Sequence, residues 1–298
     1  MTTQGYEHPA WAGASKTGGI MKLSIQRGCL ALIMQALIAM PFVCSAPLLA
    51  ASKPALARKN SNTPSNPLGF TGQAASLNKA ANSGNAEAQW RLSLLYAYGK
   101  DIPQNNTLAL QWMRKSAMQG FAPGQHTLGL VYSGGLLGVT KDLVAAVDWY
   151  RKAAEQGYSS AQLNLGQAYL SGTGVAKSET TAAFWINKAA EQGDPEAQLK
   201  LGLLYSNGVG VPQNYKLGLA AYQSAAEQGN SDAMTGLGWH YQLGLGVPTD
   251  NVQSLMWFIL AAARGDKVAI EQRDRMSNLM PPEQTEEAQN LALNWNSK

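Results

Sequence analysis

Six glycines divide most of the chain into near-equal lengths: Gly84, Gly120, Gly157, Gly193, Gly229 and Gly265, spaced 36, 37, 36, 36 and 36 residues apart. Each closes a version of one phrase, K-A-A-E-Q-G in full at Gly157 and Gly193, with K-S-A-M-Q-G, S-A-A-E-Q-G and L-A-A-A-R-G as variants. A second phrase, A-x-x-x-L-G-x-x-Y-x-x-G, starts at Ala161, Ala197 and Ala233, and its tyrosine recurs at 96, 132, 169, 205 and 241. A fixed period of this size marks stacked supersecondary units, each too small to bury its own apolar side. A chain of 298 residues would otherwise suggest about two ordinary domains; the repeats overrule that expectation.

Each unit reads as two helices. Ala197, Leu201, Leu204 and Tyr205 fall on one side of a helix, here named helix A. Asp194 supplies its N-cap and Pro195 a first-turn proline, while Gly208 can adopt the left-handed conformation that ends it. That stop recurs at Gly99, Gly135, Gly172 and Gly244. After a short loop, Asn105, Asp142, Ser178, Asn214 and Asp250 share one register, and all five are residues that cap a following helix B. Helix B carries Trp112, Trp149, Trp185 and Trp257 in one column, with Ala221 in the fourth unit. These tryptophans are read as core, each worth on the order of 3 to 5 kcal/mol against alanine. Gly129, Gly166, Gly202 and Gly238 would let the two helices approach closely.

The expected architecture is therefore all-α, an α-solenoid of antiparallel helix pairs. Residues 69–84 form an N-terminal half unit, 85–265 five full units, and 266–298 the capping helices. In that cap, Asp266 to Leu279 and Glu283 to Trp295 read as helices separated by Pro281-Pro282. Ala288, Leu291, Ala292 and Trp295 give the last helix one apolar side to cover the open end.

Residues 1–51 have the order of an export signal. From Met21, which can be the true start, Lys22 and Arg27 give a basic beginning and Cys29 to Met40 an apolar stretch. Small residues follow at Ser45, Ala46, Ala50 and Ala51, and cleavage is expected near residues 50–51. The mature protein would then be periplasmic or otherwise exported, without membrane contact; an uncleaved inner-membrane anchor is the alternative. Residues 52–68, rich in Ser, Asn, Pro and Lys, read as a flexible linker.

Charge and cysteine usage narrow the function further. The net charge of +4 resides in residues 1–68, which hold six basic side chains against Glu7 alone; the remainder has 17 basic and 18 acidic. The repeat region is near neutral, which gives no footprint for nucleic acid. Both cysteines, Cys29 and Cys44, lie in the signal, so the mature region offers neither a disulfide nor a thiolate. Ser76-Leu77-Asn78-Lys79 spells S-x-x-K and Lys16-Thr17-Gly18 spells K-T-G. However, Lys79 merely occupies the repeat register of Lys115, Lys152 and Lys188, and K-T-G precedes the signal. His126 and His240 lack a metal-ligand spacing, and the G-x-G pairs at 172/174, 208/210 and 244/246 recur with the unit as helix-ending turns. No catalytic residue, cofactor or metal site is assigned.

The phrase A-x-x-x-L-G-x-x-Y-x-x-G-x-G-V, followed by an N-cap, an aromatic helix and K-A-A-E-Q-G, resembles the Sel-one-like repeats (SLR), relatives of the tetratricopeptide repeats. The resemblance covers residues 77–298 when the tail R-D-R-M-S-N-L-M-P-P-E-Q-T-E-E-A-Q is included. Departures are small: Ser93 stands for the first-unit glycine, Gly124 for the second-unit alanine, and unit two has one extra residue near 134–138. Membership implies a right-handed superhelix that binds proteins or peptides, in bacteria often in the periplasm or envelope. One branch of the family carries paired cysteines and is linked to penicillin-type ligands, so an envelope enzyme or small-molecule binder is the alternative. The missing cysteines set this chain apart from that branch.

Within such an array, the partner-binding surface is expected on helix A, on the side away from its recurring Ala, Leu, Gly and Tyr. Trp90, Leu94, His126, Gln167, Leu203 and Trp239 fall in one variable column, with Arg91, Asn164, Lys200 and His240 beside it. Apolar anchors interleaved with hydrogen-bonding groups suit a peptide groove, with Trp90 and Trp239 as its end anchors. The competing expectation is that these residues pack against the next unit.

Overall fold

The computed structural model describes residues 72–99 and 101–296; the signal segment, K-T-G and the linker lie outside the described residues. Those described form thirteen α-helices. They are α1 (Gln73–Asn82), α2 (Ala86–Tyr98), α3 (Asn106–Met118), α4 (Ala122–Gly134), α5 (Leu143–Glu155), α6 (Ser159–Ser171), α7 (Glu179–Glu191), α8 (Pro195–Asn207), α9 (Tyr215–Glu227), α10 (Ser231–Leu243), α11 (Asn251–Ala262), α12 (Lys267–Leu279) and α13 (Pro282–Asn296). Contacts run between neighbours in sequence, so α2 to α11 make five antiparallel A–B pairs stacked in order, with α1 as a lone helix B before them. Among the described residues no helix is long and apolar enough to cross a membrane.

The helix ends follow from the residues that cap them. Asn105, Asp142, Ser178, Asn214 and Asp250 each accept a hydrogen bond from a backbone N–H three residues on, at 2.9 to 3.3 Å. Each such cap is worth roughly 0.5–2 kcal/mol. Helix A ends in all five units at a glycine with φ between 63° and 69°.

Inside a pair, the helix A glycine is a contact surface. A Cβ added at Gly129, Gly166, Gly202 or Gly238 would lie 2.6 to 2.7 Å from Tyr150, Ile186, Tyr222 or Phe258 of helix B. Between units, a glutamine of helix A bridges two helix ends. Gln89, Gln125, Gln162 and Gln198 each accept from a glutamine at the end of their own helix B, at 2.6 to 2.8 Å. Each also donates to an alanine carbonyl at the end of the preceding helix B. Unit five places Met234 and Arg264 in these registers, and the bridge stops there.

One expectation needs correction. Of the tryptophan column only Trp257 is buried; Trp112, Trp149 and Trp185 are half-exposed. The flank of helix B that carries them is covered only in unit five, where α13 lies across α11 and Trp295 meets Trp257 at 4.7 Å. In units one and two lysine takes that place, with the Lys115 and Lys152 ammonium groups 4.2 and 4.0 Å from the rings of Trp112 and Trp149. Their truncation therefore costs less than that of a fully buried tryptophan.

The second glycine of each G-x-G pair serves the stacking of units. A Cβ at Gly210, where φ is 68°, would run into the carbonyl oxygen of Glu179 at the start of the preceding helix B. Gly193 also has positive φ, 85°, but faces open space. Gly193→Ala should cost about 1–2 kcal/mol, the conformational penalty alone. Gly210→Ala adds a backbone clash and should lose about 1–3 kcal/mol more. Urea unfolding of the two variants measures this, and equal losses would show that Gly210 is not at a close contact between units.

Candidate partner-binding surface

The helix A column divides between interior and surface. Trp90, Leu94, His126 and His240 are buried, which corrects their expected place in an open groove. Trp90 Nε1 donates to Thr127 Oγ1 at 3.0 Å, and its ring lies 5.8 Å from Phe121. His126 packs 5.2 Å from the Tyr158 ring, with Asn164 Nδ2 at 2.9 Å from its Nε2. Thr235, in the same register, donates to Asp266 at 2.8 Å. This column thus meets the N-cap position of the next helix A in units one, two and five. Phe121 and Tyr158 stand at their N-cap positions with no side-chain hydrogen bond, and their rings pack against this column.

His240 is enclosed differently. Its Nδ1 donates to the Leu245 carbonyl at 2.8 Å, its Nε2 lies 3.1 Å from Ser206 Oγ, and the Tyr222 ring is at 5.3 Å. Burial pushes its pKa down, opposed by the bond to Leu245. Both ring nitrogens of His240 are thus engaged within the array. Among the described residues no group of three or more His, Cys, Asp or Glu could hold a metal ion.

The surface keeps Arg91, Asn164, Gln167, Lys200, Leu203 and part of Trp239. Arg91 pairs with Glu87 at 2.6 Å and Lys200 with Glu196 at 3.0 Å, both one helical turn apart, so their charges are matched along the row. Asn164 and Gln167 line a cleft of about 200 Å³ with Tyr150, Ser171 and Thr173, all uncharged. Leu203 is 41% exposed, and the half-buried Trp239 stands edge-on to Phe258 at 5.4 Å. The helix A row also carries two residues that the sequence reading passed over, Leu243 and Leu279, exposed by 59% and 74%. They share one register 36 residues apart, a signal that a comparison of helix ends would have found. The row is thus polar and uncharged around unit three, and from unit four onward it sets the apolar Leu203, Trp239, Leu243 and Leu279 among the polar Asn207 and Arg275.

An acidic edge borders that apolar half. Burial raises the Asp232 pKa, reinforced by the charges of Asp266 and Glu196 and opposed by Lys200.

His126 gives the array a defined acid response. Burial pushes its pKa down to about 4, against about 6.5 for an unfolded imidazole. Between those values the unfolded chain binds a proton that the folded one excludes, so stability is full above pH 6.5 and falls as pH drops toward 4. From pH 7 to pH 5 this single group should remove about 2 kcal/mol. His126→Leu, the residue found in its register at 163 and 199, should flatten that decline. Urea midpoints at the two pH values measure it, and an unchanged decline in the variant would assign the acid sensitivity elsewhere.

A model of the Sel1 repeat matches residues 86–121, 122–158, 159–194, 195–230 and 231–266. Curated proteins show no match. Among solved structures, the chain is similar to c5321, a protective antigen present in uropathogenic Escherichia coli strains and displaying an SLR fold. The two share 34% identity with a TM-score of 0.69, over 75% of this chain and 49% of that one. A Sel1 repeat protein from Oxalobacter formigenes is 33% identical with a TM-score of 0.61, over 68% of this chain and 58% of that one. The chain thus spans about half the length of these two relatives. Helix boundaries, repeat register and sequence all agree with the matched units: the chain belongs to the Sel1 repeat family.

Proposed function

We propose that the chain is an exported, non-catalytic scaffold that binds a partner protein or peptide along its helix A row. The observation that carries this reading is the exposed Leu203, Leu243 and Leu279 with the half-buried Trp239, set beside matched charges and an uncharged amide and hydroxyl cleft. Apolar anchors within a hydrogen-bonding surround are what a peptide interface requires. Repeat proteins of this family commonly mediate protein binding, which supports the same class of function. Export rests on the basic, apolar and small-residue order from Met21 to Ala51. A relative that is a protective antigen suits a protein placed outside the cytoplasm.

A photo-crosslinking residue at 203 or 243 in the exported protein should give a partner adduct, and one at exposed Lys216 on helix B should not. Leu203→Lys with Leu243→Lys should lower the adduct several-fold with the melting temperature unchanged, because neither side chain belongs to the core. Adducts formed equally from all three positions, or only from 216, would move the interface off helix A. N-terminal sequencing of the same envelope material should return a start near residue 51; a start at Met1 or Met21 would replace the soluble exported form with an anchored one.

A further inference from the structure

The array supplies its own control for one groove. Where helix B of a unit meets the loop of the next unit, an arginine of helix B touches the recurring tyrosine. Arg114 Nη2 donates to the Tyr132 hydroxyl at 3.1 Å, and Arg151 is hydrogen-bonded to Tyr169, one unit on. At the second position both cations are neutralised from within. Arg151 pairs with Asp148 at 2.9 Å, and Lys177 pairs with Glu179 at 2.8 Å. At the first position the cations remain as Arg114 and Lys141, but the acids are gone: Gln111 stands in the register of Asp148, and Leu143 in that of Glu179. Among the described residues neither Arg114 nor Lys141 is in an ion pair. Asp142, in the register of Ser178, adds one carboxylate, of which one oxygen accepts from the Ala145 N–H at 3.0 Å to cap α5, so two cations face a single acid.

The same place holds the array's irregularity. The unit-two loop is one residue longer than the others, and its Leu137 takes φ 54°, a conformation that costs energy for a branched side chain. Beside it lies an open groove of about 700 Å³, walled by Arg114 and Tyr132 on one side and residues 139–144 on the other. Its floor is apolar where the neighbouring unit is polar, with Leu143 and Val144 replacing Glu179 and Thr180, and Val144 is 61% exposed.

We infer that this groove docks a peptide segment of a partner in which an acidic residue is flanked by aliphatic ones. The carboxylate takes the place of the missing Asp148 and Glu179 equivalents between Arg114 and Lys141, and the aliphatic side chains cover Val139, Leu143 and Val144. Charge complementarity selects the anion, and the apolar floor distinguishes a peptide from a free ion. The site lies off the helix A row and stands or falls separately from it.

The test is an amide NMR titration of the purified chain with acetyl-Leu-Glu-Leu-amide, acetyl-Leu-Gln-Leu-amide and sodium acetate. The Glu peptide should shift amides of residues 139–144 and bind roughly fivefold or more tightly than the Gln peptide, the difference shrinking at high salt. Arg114→Gln with Lys141→Gln should abolish that preference. So should Gln111→Asp with Leu143→Glu, which restores the internal acids of the neighbouring unit; unchanged spectral dispersion will show that both variants fold. Equal binding of the two peptides, a preference untouched by either double variant, or absence of shifts in 139–144 would overturn the proposal. Acetate alone shifting these amides as strongly as the Glu peptide would also overturn it, by showing a simple anion site.

Discussion

Four of the five units depend on one close approach, the contact of a helix A glycine with a large side chain of helix B. Tyr150, Ile186, Tyr222 and Phe258 lie against Gly129, Gly166, Gly202 and Gly238 at distances a Cβ could not share. Removing one methyl group from helix A draws the helices together and lets a large, stiff side chain seal the pair. The first unit departs from this at both partners. Ser93 takes the glycine register and Met113 that of the ring, both fully buried, and an unbranched thioether can bend around a Cβ that a tyrosine cannot.

Stacking of the pairs uses different chemistry. Gln89, Gln125 and Gln162 are buried, yet each has its amide engaged on both sides, tying the end of one helix B to the end of the next. A buried amide left unpaired would cost about 1–3 kcal/mol, so the bridge also fixes register: slipping one unit against the next would orphan donors and acceptors together. The bridge is replaced where the array ends. In unit five Met234 enters the core, and stabilisation passes to α13, whose Ala288 and Ala292 pack on α11. In α12, Arg273, Asp274 and Ser277 hold the registers of Leu201, Gly202 and Tyr205, so nothing invites a further pair.

The fold was legible because its determinants are local and repeat. Period, N-caps, glycine stops and close-approach glycines each depend on the residue at one position, and four or five copies expose them. The site was less legible because it depends on contacts between units. Trp90, His126 and Thr235 vary in sequence as a surface would, but they vary together with Phe121, Tyr158 and Asp266, the residues that they meet one unit on. A variable column therefore reads as surface until its partner column is set beside it. The half-exposed tryptophans of helix B failed the opposite way, since an aromatic column looks like core wherever the covering helix is out of view.

Irregularities in the array come in compensating sets, and that separates structural from functional departures. Ser116 stands where other units have alanine, Ala153, Ala189, Ala225 and Ala261, and its hydroxyl donates to the Ala86 carbonyl at 2.6 Å. Gly124 stands where other units also have alanine, and a Cβ there would lie 2.6 Å from that same hydroxyl. One enlarged side chain and one reduced one fill the same space, so these two departures explain each other and require no ligand. The pair Gln111 and Leu143 behaves otherwise. Each removes an acid from beside a cation, and Asp142, in the register of Ser178, returns only one of the two carboxylates. A departure that the fold balances is packing; one that leaves charge unbalanced on an open groove points outside the chain.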